Sequence, residues 1–371
     1  MRLLYFTQGF SPHDQRFLTA LAESGHEVYF LRLDGKVPSE LPHGIVEVTL
    51  PGLTNDLAKK SYTVIVRKLG ALLQELKPQL VHAGPLQGPA WLAARTGFSP
   101  LVSMSWGSDL LVEADKTRLM RWRTLFTLSR TTVMLADCRA VATKAASFRF
   151  PPERIKVFPW GVDLNFFVPV GTAPLRRRLK WQKCMVFLCS RSMEPLYGVD
   201  VVVQAFIRVA ASQPRARLLL MGTGSQQGLL RSMVSEAGLD DRVYFGGFAP
   251  LQDLPGMYRS ADVYVSASHS DGSSVSLMEA LACGKPALVS DIPGNREWVE
   301  PGKQGWLFKD GDSEALSARM SEICEQGVDA DIPLNARQLA EKKADWNQNF
   351  RQLLNAYDVA VGNLPVEQRP G

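Results

Sequence analysis

Short runs of leucine and β-branched residues alternate with amphipathic segments along almost all of the 371 residues. Strand-length apolar runs that alternate with helical patterns are typical of parallel strands joined by helices and covered on both faces. The fold class is therefore predicted to be α/β. The predicted strands are Leu3–Phe6, Val28–Leu31, Ile45–Val48, Leu80–Ala83, Leu101–Met104, Val133–Ala136, Ile155–Phe158, Val186–Ser190, Leu218–Met221, Val243–Phe245, Val263–Ala267, Ala287–Ser290 and Trp306–Phe308. Helical patterns include Asp14–Ser24, Leu57–Leu76 and Thr117–Leu128.

A break in this alternation divides the chain into two sheet-forming halves. The segment PWGVDLNFFVPVGTAPLRRRLK, Pro159–Lys180, has the proline, glycine and charge density of a linker. We predict one domain over 1–165 and a second over 166–340. The last helical pattern, Asn335–Val361, has no strand after it. Residues 341–371 are therefore predicted to contain a helix that lies on another surface, such as the first domain, followed by a loose tail.

Composition excludes several classes of protein. Five cysteines without a CxxC pair and five histidines without ligand spacing predict a reducing compartment and no metal site. Because no apolar run approaches the roughly 20 residues of a membrane span, and MRLLYFTQGF is typical of a first buried strand, we predict a cytoplasmic protein. The net charge of +5 favours phosphorylated small molecules or an anionic membrane surface, and no nucleic-acid motif occurs.

The segment SASHSDGSSVSLMEALACGKPALVSD, Ser266–Asp291, predicts a ligand site. It is typical of a strand, a loop of small residues, a helix, a turn and a second strand, and ligands bind beyond the carboxyl ends of such strands. Free amides at the helix start attract phosphate. Asp271 in the loop and Glu279 in the helix can each accept hydrogen bonds from hydroxyl groups, so the pair predicts a nucleotide sugar. Taken singly, Asp271 could be a helix cap and Glu279 a solvated helix residue.

The same segment resembles the donor-site signature of retaining GT-B glycosyltransferases, especially family 4, in which an acid, seven residues and a glutamate precede Ala-x-Ala-x-Gly-x-Pro. Asp271 stands where these enzymes usually have glutamate. VFPWGVDLNFFVP (157–169) is similar to their inter-domain motif. CSRSMEPLYGVDVVVQAF (189–206) is similar to the segment whose arginine and lysine hold the pyrophosphate; Arg191 keeps the arginine and Tyr197 replaces the lysine.

This resemblance implies two Rossmann-like parallel-sheet domains that face a central cleft, with a C-terminal helix returning to the N-terminal domain. It implies that 1–165 bind the acceptor and 166–340 the nucleotide-sugar donor, and that 341–371 form the crossover helix and tail. The implied activity is retaining, metal-independent transfer of a sugar from a UDP-sugar, or next a GDP-sugar, to a hydroxyl of a glycan, glycolipid or small molecule. The leaving phosphate would take the acceptor proton, and no cofactor beyond the donor is implied.

The residues that the resemblance assigns to the donor match family motifs in order. Asp271 would meet the donor sugar, Glu279 the ribose, and Arg191 the diphosphate; Asp271, Arg191 and Asp109 are the candidate catalytic residues. The full donor set is Gly9, Arg191, Tyr197, Gly222, Gly224, Phe248, Gly272, Ser273, Ser274, Val275 and Glu279.

The acceptor candidates follow predicted strands of the first half. VSMSWGSDLL resembles the family's His-Gly-x-Asp stretch, with Trp106 in place of the histidine, and an indole can stack on a sugar but cannot act as a base. Asp14 could instead cap its helix, His82 could be a structural histidine, and Asp109 could be an N-cap. The acceptor set is His13, Asp14, His82, Trp106, Gly107 and Asp109.

Two alternatives remain open from the sequence. The departures at Trp106, Tyr197 and Asp271 suit a catalytically inactive nucleotide- or sugar-binding subunit, and a GT-B relative could also be an epimerase or a hydrolase. The segment Asp115–Arg130 combines four arginines with apolar residues. It predicts either a solvated helix with one face toward the core or an amphipathic helix that lies on an anionic membrane. In the second case the protein would be peripheral on the inner face of the membrane.

Overall fold

The structure, a computed structural model, describes residues 1–34, 41–50 and 62–362. The chain divides into two compact units, Met1–Phe158 with Phe350–Gly371, and Pro159–Asn349. The sequence placed these divisions after residues 165 and 340. Among the described residues, no helix has the length and apolar character needed to cross a bilayer.

The first unit contains a seven-stranded sheet in which every strand pair is parallel. Its strands, in chain order, are β1 Arg2–Thr7, β2 Glu27–Arg32, β3 Ile45–Val48, β4 Leu80–Ala83, β5 Leu101–Met104, β6 Val133–Ala136 and β7 Ile155–Val157. They lie in the order β3-β2-β1-β4-β5-β6-β7. Because the winding direction reverses between β1 and β4, a crevice opens at the carboxyl ends of these two strands.

The second unit contains a six-stranded parallel sheet with the same kind of reversal, here between β8 and β11. Its strands are β8 Met185–Cys189, β9 Ala216–Met221, β10 Val243–Gly247, β11 Val263–Ser266, β12 Ala287–Ser290 and β13 Gly305–Phe308. All the strands predicted from the sequence are therefore confirmed, with ends that differ by no more than two residues.

Helices connect the strands and cover the sheets. In the first unit they are α1 Pro12–Glu23, α2 Tyr62–Leu76, α3 Pro89–Thr96, α4 Ser108–Leu111, α5 Arg118–Arg130 and α6 Arg139–Ser147. In the second they are α7 Pro174–Arg178, α8 Val199–Ser212, α9 Gln227–Glu236, α10 Leu254–Arg259, α11 Val275–Ala282, α12 Pro293–Arg296, α13 Ser313–Gln326 and α14 Asp331–Lys343. The start of the predicted helix 57–76 and the predicted loose tail fall outside the described residues.

Alternate residues of β8 show that both sheet faces of the second unit are buried. Phe187 and Cys189 enter one apolar cluster, whereas Val186 and Leu188 enter another. Because side chains alternate across a strand, this pattern requires packed layers on both sides.

The prediction of a single helix over Asn335–Val361 is wrong, because two separate helices occupy this segment. Helix α14 ends at Lys343, and α15 spans Trp346–Ala360. Between them the Val162 amide donates to the Ala344 carbonyl (2.7 Å) and the Trp346 amide donates to the Val162 carbonyl (3.1 Å). The Ala344 carbonyl and the Trp346 amide thus bond to Val162, which is distant in sequence, and not to partners within a continuous helix.

The predicted return of the C-terminal helix to the first domain is confirmed. Leu353, Ala356 and Tyr357 of α15 are buried. The Tyr357 hydroxyl lies 2.5 Å from His82 Nδ1 at the centre of the first sheet.

Candidate functional site

Arg191 and the loop that contains Asp271 lie at the carboxyl edge of the second sheet, where its winding reverses. Arg191 follows β8, Asp271 follows β11, and β8 pairs directly with β11. Residues far apart in sequence therefore meet because their strands are neighbours.

Arg191 and Asp271 form a direct ion pair. Arg191 Nη2 lies 2.5 Å from Asp271 Oδ2, and both side chains are largely buried. Arg191 Nη1 donates to the hydroxyls of Ser274 (2.5 Å) and Ser276 (3.1 Å) at the start of α11. The guanidinium thus joins the loop acid to the amino end of a helix, where the helix dipole is also positive.

Tyr197, at the position of the family's lysine, supports Arg191. Its ring centroid lies 4.3 Å from the Arg191 guanidinium carbon. An aromatic face attracts a cation electrostatically, and a planar guanidinium stacks well on it. Tyr197 therefore holds the Arg191 guanidinium in place, whereas a lysine at this position would supply a second cation.

The protonation of this pair follows from burial and charge. Burial raises the pKa of the Asp271 carboxyl above its ordinary value, and Arg191 opposes that shift. Burial acts to lower the pKa of Arg191, but the Asp271 carboxylate raises it above its ordinary value. The guanidinium therefore keeps its charge in a site with little access to water.

Glu279, on the second turn of α11, is oriented by the Tyr258 hydroxyl, which is itself in contact with Ser190. The Tyr258 hydroxyl donates to Glu279 Oε2 at 2.7 Å and lies 3.0 Å from Ser190 Oγ. Burial raises the pKa of Tyr258 well above its ordinary value, so its phenol keeps the proton that it donates. One carboxylate oxygen is thereby fixed, which holds the side chain in place.

The loop before α11 is held by α12 and by Trp298, which follows that helix. Trp298 Nε1 donates to Ser273 Oγ (3.1 Å). A Cβ atom at Gly294 would lie 2.4 Å from the Gly272 carbonyl oxygen and 2.5 Å from that of Asp271. Only glycine permits this close approach, so the loop conformation depends on Gly294.

The other predicted donor residues lie on neighbouring loops. The Gly222 amide donates to the Gly247 carbonyl (2.7 Å) in the turn after β9, and the Gly224 carbonyl accepts from Gln227 (3.2 Å). Phe248 follows β10 and is 76% exposed. Val275 is the first residue of α11, after Ser274 at the N-cap.

In the first unit, loops at the carboxyl ends of β1, β4 and β5 enclose a cavity of about 660 Å³. Four residues of the predicted acceptor set line it, His13, Asp14, Trp106 and Asp109, together with Gly9 of the predicted donor set. The other lining residues are Thr7, Gln8, Phe10, Ser11, Asp34, Pro85, Gln87, Gly88, Ser108, Glu113 and Met120. The structure thus brings most of the predicted acceptor set to one place.

Asp109 is held by four donors. Its carboxylate accepts from the amides of Leu86 (2.9 Å), Trp106 (3.0 Å) and Leu110 (3.1 Å) and from the Ser105 hydroxyl (2.6 Å). Burial raises its pKa, and these hydrogen bonds oppose the shift. Asp109 thus clamps the loops after β4 and β5, and the N-cap of α4 is Gly107, whose φ of +86° suits glycine.

Asp14 has the capping role that the sequence left open. Its Oδ2 accepts from the Ser11 amide (2.8 Å) and hydroxyl (2.5 Å), and the Asp14 amide donates back to Ser11 Oγ (3.2 Å). This reciprocal capping box starts α1. His13 and Trp106 lie together at the cavity wall, with ring centroids 5.9 Å apart.

His82 lies in the core, fully buried, and is not among the residues that line the cavity. Its Nδ1 contacts the Tyr357 hydroxyl, and its Nε2 has no hydrogen-bond partner among the described residues. Burial lowers its pKa to about 3. This geometry favours the structural interpretation of His82 over an acceptor contact.

The buried imidazole predicts acid sensitivity. Because the unfolded chain takes up a proton near pH 6.5 and the folded His82 does not until about pH 3, the free energy of unfolding should fall as pH falls between these values. We expect a loss of about 2 kcal/mol between pH 6.5 and pH 5, measured by urea unfolding. His82→Gln should remove this part of the pH dependence, whereas His43→Gln, at an exposed position, should retain it. Equal pH dependence in all three proteins would contradict the prediction.

Sequence reasoning missed several residues of the second-unit site. Ser276, Tyr258 and Trp298 contact the predicted residues but resemble ordinary helix or core residues in the sequence. Glu194 accepts from the amide (2.8 Å) and hydroxyl (2.5 Å) of Ser225, which pins the loop after β8 to the turn after β9. Only its position between Arg191 and Tyr197 could have pointed to it.

Two family models match this chain. Glycosyltransferase Family 4 matches residues 12–166, and Glycosyl transferases group 1 matches residues 174–351. Together with the two Rossmann-like parallel sheets, these matches show that the chain belongs to the family 4 glycosyltransferases of the GT-B type.

Curated relatives resemble part of the chain. A D-inositol 3-phosphate glycosyltransferase from Thermobispora bispora is 32% identical over 225 residues, which are 58% of this chain and 52% of that protein. The putative colanic acid biosynthesis glycosyltransferase WcaL of Salmonella typhimurium is 29% identical over 214 residues, 56% of this chain and 51% of that protein. The matched region thus spans about half the length of these relatives.

Among solved structures, Anabaena HepE in complex with UDP-glucose has a TM-score of 0.81 at 20% identity. The match covers 96% of this chain and 99% of that one. At this identity the likeness concerns the fold alone.

Proposed function

We propose that this chain is a retaining glycosyltransferase that moves a sugar from a nucleotide diphosphate sugar to a hydroxyl acceptor. The observation that carries the proposal is the contact of Arg191 with Asp271 at the amino end of α11, with Glu279 further along the same helix. A UDP-sugar is the favoured donor and a GDP-sugar the next; the solved relative HepE was captured with UDP-glucose.

The site supplies what sugar transfer needs most. Breaking the sugar–phosphate bond develops negative charge on the leaving diphosphate, and fixed donors aimed at that charge lower the barrier. Arg191 and the first amides of α11 supply this potential. We infer that the diphosphate takes over the Arg191 Nη1 contacts with Ser274 and Ser276, while Nη2 remains on Asp271.

The two acids recognise hydroxyl groups on either side of the diphosphate. Asp271 would accept from the donor sugar, and Glu279 would accept from the ribose with the oxygen that Tyr258 does not hold. Because Asp271 is neutralised by Arg191, we assign it to sugar positioning, and the leaving phosphate takes the proton of the acceptor hydroxyl. The acceptor oxygen bonds to the anomeric carbon on the same face from which the diphosphate leaves, so the donor sugar keeps its anomeric configuration.

We assign the acceptor to the cavity of the first unit. Its described lining residues include the acids Asp34 and Glu113 but no lysine or arginine. Carboxylates accept hydrogen bonds from hydroxyls and repel phosphate, and Trp106 can stack on a sugar face. The proposed acceptor is therefore an uncharged sugar or polyol, whichever larger molecule carries it.

Metal independence is also part of the proposal. Within residues 1–34, 41–50 and 62–362, no group of three or more His, Cys, Asp or Glu side chains could hold a metal ion. The cation at the donor site would be Arg191, whose charge its partner Asp271 maintains.

A binding and transfer panel tests the proposal. UDP, GDP, ADP and dTDP, and the matching sugar nucleotides, are each tested by thermal shift with and without EDTA. Binding to the native state raises the melting temperature. We expect a UDP-sugar to give the largest shift, unchanged by EDTA, and transfer to neutral polyols but not to their phosphates. The product anomer is read by NMR.

Each other outcome has a distinct meaning. Binding of a sugar nucleotide without transfer to any acceptor favours an inactive binding subunit. Free sugar or an isomerised nucleotide sugar, formed without an acceptor, favours a hydrolase or an epimerase. Preferred transfer to phosphorylated polyols would contradict the assigned acceptor chemistry.

A further inference from the structure

Helix α5 packs on the first unit through a polar face. Thr124, Thr127 and Leu128 are its buried residues. The Gln87 amide donates to Thr124 Oγ1 (2.8 Å), and the Thr127 hydroxyl donates to the Leu86 carbonyl (3.1 Å). The sequence predicted either a helix with an apolar face toward the core or a membrane-surface helix. In the structure, the inward side of α5 is attached largely by hydrogen bonds to the loop after β4.

The outward face of α5 is apolar instead. Leu119, Trp122 and Leu125 are 53%, 50% and 38% exposed, and the Trp122 ring stacks on Phe126 at 5.6 Å. Large apolar side chains grouped on one exposed helix face mark a surface that is covered in use.

Cations surround this apolar face. The helix RLMRWRTLFTLSR contains four arginines and no acid. Among the described residues, neither Arg118 nor Arg130 forms an ion pair, and Arg121 pairs with Asp115 at 2.5 Å. A single face therefore combines exposed leucines and a tryptophan with uncompensated positive charge.

We propose that the outward face of α5 docks on an anionic lipid bilayer. Tryptophan and leucine suit the boundary between headgroups and acyl chains, and arginines attract anionic headgroups. The proposal does not depend on the transferase activity. Since Met120 of the same helix lines the acceptor cavity, docking would place that cavity about one helix diameter, ~10 Å, from the headgroups.

The test is flotation of the full chain with vesicles of phosphatidylcholine alone or mixed with phosphatidylglycerol. We expect binding to the anionic vesicles only, weakened when ionic strength rises from about 0.15 M to about 0.5 M because the Debye length shortens. Equal binding to both vesicle types, or none to either, would overturn the proposal.

Paired variants locate the contact. Arg118→Gln with Arg130→Gln should weaken binding by about fivefold per arginine, and Leu119→Ser with Trp122→Ser by at least about tenfold. The control is Leu229→Ser with Leu334→Ser, since these leucines are 55% and 61% exposed on the second unit. The melting temperature should be unchanged in the arginine pair and in the control pair, and it should fall slightly in Leu119→Ser with Trp122→Ser, which loses the contact between Trp122 and Phe126. An equal loss in the control pair would place the contact elsewhere.

A measurement without lipid tests the alternative that this face of α5 binds a second copy of the chain. If sedimentation velocity shows a dimer that Leu119→Ser with Trp122→Ser abolishes, the face binds a second copy of the chain and the lipid assignment is overturned. A monomer in both proteins supports the bilayer.

Discussion

Replacing Arg191 with alanine is expected to lower kcat by about 100- to 1,000-fold. This is the usual effect of removing a preorganised hydrogen-bond donor that stabilises negative charge in the transition state, here on the leaving diphosphate. The variant loses the guanidinium that joins Asp271 to Ser274 and Ser276. Tyr197 cannot replace it, since a phenol carries no positive charge. Arg191→Lys should recover only part of the loss, because an ammonium cannot bridge these groups as a planar fork does. Steady-state kinetics with the best donor of the panel measure both effects.

A second substitution separates the charge of Arg191 from its structural role. Without Arg191, the buried Asp271 is left uncompensated, so the free energy of unfolding should fall by about 3–5 kcal/mol. Adding Asp271→Asn should restore stability in urea but not turnover. If the double variant also recovers kcat, Arg191 is only a partner for Asp271. Arg208→Ala is the matched control, because its ion pair with Glu314 (3.3 Å) is exposed.

Gly294→Ala is expected to reduce kcat/KM for the donor by about 100-fold, although Gly294 carries no side chain that could contact it. A Cβ there would overlap the carbonyl oxygens of Asp271 and Gly272, and both are backbone atoms. The clash can be relieved only by moving the loop, which shifts the Asp271 carboxylate away from its place. Overpacking of this kind costs about 1–3 kcal/mol, so the melting temperature should also fall.

The control for this prediction is Gly228→Ala in α9, where a new Cβ would meet no atom within 4 Å. Kinetics should be unchanged, and stability should rise by up to about 1 kcal/mol because alanine favours helix. Wild-type kinetics in Gly294→Ala would mean that the donor does not need this loop conformation.

The sheets could be predicted from the sequence because their signals are local. A buried parallel strand is a short apolar run, and each run falls between turn residues, so the strands were located within one or two residues. Asp271 follows such a strand, which predicted a ligand site at the carboxyl end of that strand. The family resemblance added Arg191, and the structure shows that the strand before Arg191 is the neighbour of the strand before Asp271.

Roles that depend on a distant partner could not be predicted. Helix capping by Asp14 could be predicted as an alternative because its partner Ser11 is only three residues away, whereas the clamp formed by Asp109 depends on Leu86 in another loop. The orientation of α5 could not be predicted either, because its inward threonines form hydrogen bonds with the loop after β4, a partner distant in the sequence.

Periodicity and motifs contiguous in the chain are enough to predict the α/β class, the two sheets, the family and the residues at the strand ends. Three contacts arise only when the strands and helices pack: Tyr197 with Arg191, His82 with Tyr357 in the core, and Val162 with the break in the last helical pattern. Each of these contacts joins groups whose proximity depends on how the strands and helices pack, and no local propensity specifies it.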